Sequence, residues 1–300
     1  MRILLTGAYN WNKNQLEQIK AGGWKIIYVE REDEKLPEDA YGVDAVVCNW
    51  LFIHHSIDKF YNLKFVQLLS AGIDRVPISY IKKNGINLYT AKGVYSIPMA
   101  EYAVCGVLQI LKHSQEFADN QRQHIWKKNR NLIELSQKRI CVIGAGNVGN
   151  EVGKRFAAFT DEVYAVDVVE IDSTVFKKVY SIRNLDAQLK ISDIVVLTIP
   201  LTETTRGMFD RRRFENMKED SIFVNIARGG LVVDEDLLEA LDSKLLGAVL
   251  DVFEEEPLPE NSKIWDKKNV IITPHNSFVS NKNDERMWKV IKNNIINFKK

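Results

Sequence analysis

One stretch decides the fold of this chain: residues 139–167 read RICVIGAGNVGNEVGKRFAAFTDEVYAVD. It opens with an apolar run, Ile140 to Ile143, and passes directly into a glycine-rich turn. Apolar residues then recur at helical spacing, and a second apolar run ends on Asp167. The pattern predicts a buried strand, a tight turn, an amphipathic helix, a second strand and an acidic residue at its end.

The glycine turn has the composition of a dinucleotide-binding loop. Gly144 permits a sharp turn out of the strand, Gly146 lets the backbone approach a pyrophosphate, and Gly149 lets helix and strand pack closely. Asn147 and Val148 begin the helix, whose first N–H groups would face the phosphates. Ordinary strand-to-helix turns can also contain such glycines, but the flanking strand, helix and acid favour the dinucleotide interpretation.

The acidic residue bears on the choice of cofactor. Asp167 lies 18 residues after Gly149, close to the roughly 20 residues expected for an acid that binds the ribose hydroxyls. It is followed by Val168, Val169 and Glu170, without a nearby Arg or Lys to hold a 2′-phosphate. NAD is therefore predicted over NADP. Some use of NADPH stays open, because the preference rests mainly on Asp167.

Length and composition are those of a soluble globular protein that is large enough for two domains. The chain has 300 residues, 45% hydrophobic and 27% charged, with a net charge of +1. That charge gives no reason to expect nucleic acid or a membrane as partner. The widely spaced Cys48, Cys105 and Cys141 indicate thiols in a reducing compartment, neither a disulfide framework nor a metal site. Residues 1–7 are too short in their apolar part for a signal peptide. We therefore expect a cytoplasmic protein.

Short apolar runs that alternate with amphipathic stretches predict parallel sheets flanked by helices. In the first part these strand candidates are Ile3 to Leu5, Ile26 to Val29, Ala45 to Cys48, Phe65 to Leu69 and Ile86 to Tyr89. Those after residue 167 are Lys178 to Tyr180, Ile194 to Leu197, Ile222 to Asn225, Ala248 to Leu250 and Val270 to Ile272. Between the two parts, Pro98 precedes a helix predicted from about Met99 to past His113, with a broad apolar face.

Three turns that follow later strands carry polar groups suited to hydride transfer. They are residues 225–230 with Arg228, residues 250–259 with an acidic triplet, and residues 272–277 with His275. Each alone has an ordinary explanation as a surface residue or a solvated loop. Together they lie on the edge where ligands bind in such sheets. A histidine can supply a proton near neutral pH, a carboxylate can fix its tautomer, and an arginine can hold a substrate carboxylate.

These motifs together resemble those of the D-isomer-specific 2-hydroxyacid dehydrogenases, and the resemblance covers essentially the whole chain. The matching segments are Ser70 to Asp74, Gly93 with Met99 to Tyr102, Gly144 to Gly149, Pro200 to Thr205, Asn225 to Gly230, Leu250 to Phe253, Glu256 to Pro259 and Thr273 to His275. The resemblance implies two doubly wound parallel-sheet domains, Rossmann-like and flavodoxin-like, with the active site in the cleft between them. Residues 1–98 and 279–300 would bind substrate, and residues 99–278 would bind NAD.

The resemblance also implies roles for single residues. Arg228 would bind the substrate carboxylate and carbonyl, and His275, paired with Glu256, would be the acid and base. Glu256 fits among the three glutamates because the family's catalytic acid stands immediately before a proline. Formate dehydrogenases of this family are disfavoured, since they have glutamine there.

Further positions match contacts to cofactor and substrate. Pro200 and Thr205 would line the adenine and phosphate pocket, and Asp251 would hold the nicotinamide carboxamide. Ala227 would also contact the cofactor, and a further pair, Ala71 and Gly72, would bind the substrate carboxylate through the backbone. Small residues in that turn expose N–H groups that can hold a carboxylate, although an ordinary turn that ends a strand has the same composition.

The substrate and the partners are less closely defined. Candidates are glyoxylate, hydroxypyruvate and phosphohydroxypyruvate. Asn276 and Ser277 replace the family's more usual small or β-branched residue followed by Gly or Ala. First-domain residues that could contact a substrate side chain are Trp11, Trp50, His54 and His55. An ordinary packing or surface role would explain each of them equally well.

We expect a homodimer through the long helix, no regulatory domain, and a solvated basic end. The alternative function is an NAD(H)-sensing regulator, similar to the corepressors of this fold, with little turnover.

Overall fold

Two units make up the chain in a computed structural model that describes residues 1–298. Unit 1 is Met1–Tyr95 together with the segment that begins at Ser280, and unit 2 is Ser96–Val279. Each unit has its own parallel sheet and its own buried core. The expectation that Lys299 and Lys300 are solvated lies outside the described residues.

Unit 1 is built on a parallel sheet with the strand order β2-β1-β3-β4-β5. Its strands are β1 (Arg2–Thr6), β2 (Lys25–Val29), β3 (Ala45–Cys48), β4 (Phe65–Leu68) and β5 (Asn87–Tyr89). The helices between them are α1 (Lys13–Ala21), α2 (Leu51–His54) and α3 (Ile78–Lys83). This is the flavodoxin-like order, in which the chain direction across the sheet changes between β1 and β3.

The strands of unit 1 bury residues on both faces of the sheet, because successive side chains point to opposite sides. Ile3 and Leu5 pack in one core with Ile19 of α1. Leu4 packs in the other core with Val46 of β3. Both faces are therefore covered by other elements, which is the arrangement of a doubly wound sheet.

Unit 2 is built on a second parallel sheet with the order β12-β11-β10-β9-β6-β7-β8. Its strands are β6 (Ile140–Ile143), β7 (Val163–Asp167), β8 (Val179–Ser181), β9 (Ile194–Leu197), β10 (Ser221–Asn225), β11 (Leu245–Leu250) and β12 (Val270–Ile272). The chain direction across this sheet changes between β6 and β9, as in the Rossmann fold. The prediction of two doubly wound parallel-sheet domains is confirmed.

Helices cover both faces of the second sheet. They are α4 (Ser96–Leu111), α5 (Ser114–Arg122), α6 (Asn147–Phe156), α7 (Leu185–Leu189), α8 (Arg211–Asn216) and α9 (Asp234–Ser243). Short 3-10 turns lie at Glu38–Gly42, Ile57–Lys59, Ile182–Asn184, Gly229–Leu231 and Lys263–Asp266. The apolar side of α4 packs in a core with α6, through residues such as Ala103 and Val152.

The prediction that the helix after Pro98 continues past His113 is wrong. Helix α4 ends at Leu111, and α5 begins at Ser114. His113 between them has φ 49°, in the left-handed region, which a continuous right-handed helix cannot contain. Pro98 is the third residue of α4, where a missing N–H costs no helical hydrogen bond.

The last helix, α10 (Asn283–Asn297), returns to the sheet of unit 1. Met287, Ile291 and Ile295 are buried in the same core as Ile3, four residues apart on one helix face. The amphipathic spacing had predicted this helix. Within residues 1–298, the structure contains no helix that is both long and apolar enough to span a membrane.

Candidate active site

The polar residues singled out in unit 2 follow its strands at one edge of the sheet. The glycine turn follows β6, Asp167 ends β7, and the Arg228 turn follows β10. Asp251 and His275 follow β11 and β12. Because all these strands are parallel, their carboxyl ends lie at the same edge, which is where ligands bind in open α/β sheets.

The three glycines of the turn differ in what surrounds them. Gly144 has φ +103°, which favours glycine, and a Cβ on Gly149 would lie 1.8 Å from the carbonyl oxygen of Gly144. A Cβ on Gly146 would meet no atom of the described chain within 4 Å. Asn147 begins α6, with Val148 next, so the free space at Gly146 lies at the N-terminus of a helix. This arrangement fits a pyrophosphate.

Asp167 ties the glycine turn to the neighbouring strand. Its Oδ2 accepts a hydrogen bond from the Ala145 N–H at 2.7 Å, and its Oδ1 accepts one from the Val168 N–H at 2.7 Å. An ionised carboxylate oxygen has two acceptor sites, so each can also accept from a ribose hydroxyl. The turn and the acid therefore fit the adenosine half of NAD.

The loop after β9 is closed by its own hydroxyl groups. The Thr205 hydroxyl donates to the Pro200 carbonyl and accepts from the Thr202 N–H, both at 2.8 Å. The hydroxyl of Thr198, where the loop begins, donates to the Gly144 carbonyl at 2.9 Å. The loop therefore lies beside the glycine turn, next to the position between β6 and β9 where the strand order reverses.

Asn225 shapes the turn that carries Arg228. Its Oδ1 accepts from the Ala227 N–H at 3.1 Å, and its Nδ2 donates to the Arg228 carbonyl at 2.9 Å. The Arg228 guanidinium donates to the Ala227 carbonyl at 2.7 Å. The buried amide thus fixes the backbone from which the guanidinium extends.

Gly229 brings this turn against the loop that carries the acidic triplet. A Cβ on Gly229 would lie 1.8 Å from the carbonyl carbon of Phe253 and 2.3 Å from the nitrogen of Glu254. Only hydrogen in place of a side chain allows two backbone segments to approach so closely. The loops that hold Arg228 and Glu256 therefore pack directly on each other.

Glu256 and His275 form an acid–base pair. His275 Nδ1 lies 2.8 Å from Glu256 Oε2, and the other carboxylate oxygen accepts from the Phe253 N–H at 3.0 Å. Both side chains are about one-third exposed. The carboxylate fixes the ring orientation and leaves Nε2 as the nitrogen that can exchange a proton with a ligand.

The backbone of His275 has an unusual conformation. Its φ is 50°, in the left-handed region, which costs a non-glycine residue roughly 1–2 kcal/mol. Its N–H donates to the Asp251 carbonyl at 2.8 Å. The next N–H groups, of Asn276 and Ser277, donate to the Asp251 carboxylate at 2.7 and 3.0 Å. Since any residue except proline supplies an N–H, these contacts do not depend on the side chains at 276 and 277.

Sequence reasoning missed the role of Asp251 in holding this loop. Its side chain is fully buried, at 0% exposure. Thr273 Oγ1 lies 2.5 Å from Asp251 Oδ1 and 2.6 Å from the Tyr102 hydroxyl oxygen. Tyr102 and Thr273 both lie in motifs that carried the family resemblance, but nothing in the pattern indicated that they touch.

In unit 1, Ala71 and Gly72 follow β4 in a turn where the Ser70 hydroxyl donates to the Gly72 carbonyl at 2.9 Å. The ring of Trp50, which follows β3, lies 3.6 Å from the Arg75 guanidinium carbon.

The other first-domain candidates have different surroundings. Trp11 Nε1 donates to the Thr6 carbonyl at 2.9 Å, and His55 Nε2 lies 2.9 Å from the Glu32 carbonyl. His54 is exposed to solvent. Trp11 and His55 thus have backbone partners within unit 1.

The fold, the glycine turn and the acid at the end of β7 define a dinucleotide-binding protein of the Rossmann class. The sequence pattern described as "D-isomer specific 2-hydroxyacid dehydrogenase, NAD binding domain" matches residues 104–277. The chain belongs to this family, and NAD is its cofactor. It is therefore one of a class of NAD-dependent oxidoreductases that act on 2-hydroxy and 2-keto acids. The family and cofactor predictions are confirmed.

Relatives and solved structures extend this assignment over the whole chain. The hydroxypyruvate reductase of Blautia hydrogenotrophica is 30% identical over 100% of this chain and 97% of its own. The D-3-phosphoglycerate dehydrogenase of Archaeoglobus fulgidus is 31% identical over 80% of this chain, which spans 46% of that longer relative. The structure of the D-lactate dehydrogenase of Aquifex aeolicus, complexed with NAD and lactic acid, superimposes with a TM-score of 0.79 and 26% identity, over 98% of this chain and 94% of that one.

Proposed function

We propose that this protein interconverts a small 2-keto acid and its D-2-hydroxy acid, with NAD as the hydride carrier. The observation that carries the proposal is the 2.8 Å contact between His275 Nδ1 and Glu256 Oε2, at the carboxyl edge of the NAD-binding sheet. Such a pair can act as a general acid and a general base. Bound NAD supplies the hydride chemistry at C2 of the substrate.

His275 is the proton donor and acceptor in this proposal. In the direction of reduction, Nε2 donates its proton to the oxygen on C2 of the substrate. Glu256 keeps the proton of Nδ1 in place and stabilises the charged ring. In the direction of oxidation, Nε2 accepts the proton back from the hydroxyl group.

Arg228 and the turn after β4 bind the substrate. The guanidinium offers a planar set of donors that matches a carboxylate and also stabilises negative charge on the C2 oxygen. Backbone N–H groups at Ala71 and Gly72 supply further donors for the carboxylate. Unit 1 would thus provide backbone donors for the substrate, and unit 2 would provide Arg228 and the cofactor site. Glyoxylate, hydroxypyruvate and phosphohydroxypyruvate are the first substrates to try.

The test is NADH oxidation by the purified protein with a panel of 2-keto acids that also includes pyruvate and a branched keto acid. We expect turnover on at least one acid, a preference for NADH over NADPH, and loss of turnover in His275→Ala with NADH binding retained. His113→Asn serves as the matched control, because His113 lies between α4 and α5, outside the site, and asparagine tolerates its left-handed backbone.

Tight binding of NADH without turnover of any acid in the panel would contradict the proposal. The acids must be present at concentrations far above that of the enzyme. That pattern is the one expected of an NAD(H)-sensing regulator. Turnover that persisted in His275→Ala would contradict the assigned proton donor and leave the reaction class standing.

We also propose a homodimer, with the segment after α5 as part of its interface. The apolar side of α4 is largely used in the core of unit 2, where Ala103 and Val107 are fully buried. Exposed apolar side chains follow instead at Ile125, Trp126 and Leu132, and Trp126 is 98% exposed. Contiguous exposed apolar side chains, such as the neighbouring Ile125 and Trp126, mark a candidate interaction site. Light scattering coupled to size-exclusion chromatography measures the assembly directly.

A further inference from the structure

We infer that Tyr102 and Thr273 are positioning residues, which act through Asp251 to hold His275 in place for proton transfer. The inference rests on the proposed role of His275. It concerns contacts within unit 2 only.

Asp251 is the point at which the His275 loop is anchored. Its carbonyl accepts from the His275 N–H at 2.8 Å, and its carboxylate accepts from the Asn276 and Ser277 N–H groups at 2.7 and 3.0 Å. Successive N–H groups after a left-handed residue form a concave site for an anion. Here the anion is a side chain of the same unit, and it is fully buried.

The Thr273 hydroxyl links this carboxylate to α4. Its oxygen lies 2.5 Å from Asp251 Oδ1 and 2.6 Å from the Tyr102 hydroxyl oxygen. A threonine hydroxyl has one proton, and an ionised carboxylate only accepts. Thr273 therefore donates to Asp251 and accepts from Tyr102. Burial raises the pKa of the Tyr102 phenol, which keeps it in the protonated, donating form.

This chain of hydrogen bonds fixes the direction in which Asp251 points. Without the Thr273 hydroxyl, the buried carboxylate would lose a charge-assisted donor, and Tyr102 would lose its acceptor. The loop that carries His275 would then be held less rigidly at its N–H groups. Since proton transfer requires close approach of Nε2 to the substrate oxygen, that step is the one we expect to slow.

The first test does not depend on catalysis. Amide hydrogen exchange should be faster at Asn276 and Ser277 in Thr273→Val, by about tenfold, and close to wild type in Thr273→Ser, which keeps the hydroxyl. Tyr164→Phe is the matched control. It removes a tyrosine hydroxyl that donates to the Glu162 carboxylate at 2.9 Å, in another part of the unit. Exchange at 276 and 277 that is unchanged in Thr273→Val would overturn the inference, whether or not the protein turns over a keto acid.

The second test measures the chemical step. Thr273→Val should lower kcat about tenfold, and the solvent deuterium isotope effect on kcat should rise as proton transfer becomes limiting. Thr273→Ser should restore both values. Tyr102→Phe should have a smaller effect in the same direction. A general loss of stability would not raise the isotope effect.

The double variant tests whether the two residues act as one chain. Tyr102→Phe combined with Thr273→Val should lose no more activity than Thr273→Val alone, within about twofold, because the shared contact is already broken. Effects that multiply would show that Tyr102 acts elsewhere. If the wild type lacks turnover while exchange at 276 and 277 responds as expected, the anchor stands and the proposed function has failed.

Discussion

Replacing Gly229 with alanine should disable the site and leave the fold in place. The Cβ would lie 1.8 Å from the carbonyl carbon of Phe253, 2.0 Å from its oxygen and 2.3 Å from the nitrogen of Glu254. These are backbone atoms, which cannot rotate away as a side chain would. To reach an ordinary contact of 3.4 Å, the Arg228 turn and the Glu256 loop must separate by about 1.6 Å.

The expected loss of activity follows from this separation of the two loops. A misplacement of about 1 Å in a catalytic group costs on the order of a hundredfold in rate, and crowding a packed contact costs roughly 1–3 kcal/mol of stability. We therefore expect kcat/KM for the keto acid to fall at least about a hundredfold in Gly229→Ala. At about 2–4 °C per kcal/mol for a unit of this size, the melting temperature should fall by roughly 2–12 °C. NADH affinity should fall less than kcat/KM, because the glycine turn after β6 is not in this contact.

The assay compares keto acid kinetics, NADH binding and thermal unfolding of Gly229→Ala with those of Gly22→Ala. Gly22 has φ −71°, and a Cβ there would lie 3.2 Å from its nearest atom, so alanine fits with a small adjustment. Gly22→Ala should keep wild-type kinetics. If Gly229→Ala also kept kcat/KM within a few-fold of wild type, the packing of these two loops could not be what positions Arg228 and Glu256.

Further predictions concern the acid pair, the assembly and the thiols. Glu256→Gln should lower kcat about 10- to 100-fold, since a charge-assisted bond to His275 worth roughly 1.5–3 kcal/mol becomes neutral; stopped-flow NADH oxidation measures this, and an unchanged kcat would remove the pair from the mechanism. Trp126→Asp should halve the mass seen by light scattering, and a monomeric wild type would contradict the dimer. Burial raises the pKa of the Cys141 thiol to about 12, so at mildly alkaline pH iodoacetamide should label the exposed Cys105 and spare Cys141, as peptide mass spectrometry can establish.

Strands that are buried on both faces could be predicted closely from the sequence. Ala45–Cys48, Ile194–Leu197 and Val270–Ile272 have the bounds that their apolar runs indicated. A parallel strand under helices on both sides is a continuous apolar run, so its ends coincide with the polar residues around it. The end of α4 could not be predicted in this way. The left-handed conformation of His113 interrupts the helix, and the sequence there has neither the glycine nor the proline that usually marks a helix end.

The site was predictable in its residue types and less so in its contacts. An arginine, a glutamate and a histidine after neighbouring strands indicated the chemistry, and the structure places His275 2.8 Å from Glu256 among the three consecutive glutamates. The contact between Tyr102 and Thr273 joins residues 171 positions apart. A hydroxyl on a helix gives no sign in the sequence of which distant loop it will meet, so the anchoring of Asp251 emerged only from the folded chain.

The two sheets show that strand order alone does not create a ligand site. In unit 2, the place where the chain direction changes holds Gly146, with free space at the N-terminus of α6. In unit 1, the corresponding place between β1 and β3 is filled by the buried carboxylate of Glu32, which accepts from the Thr6 hydroxyl at 2.6 Å and from the N–H groups of Asn49 and Trp50. Donors that could hold a ligand anion are thus already used by the protein. Both sheets belong to the same class of fold, yet the place where the strand order reverses is open in unit 2 and filled in unit 1. The side chain found at that place therefore decides which sheet can accept a dinucleotide.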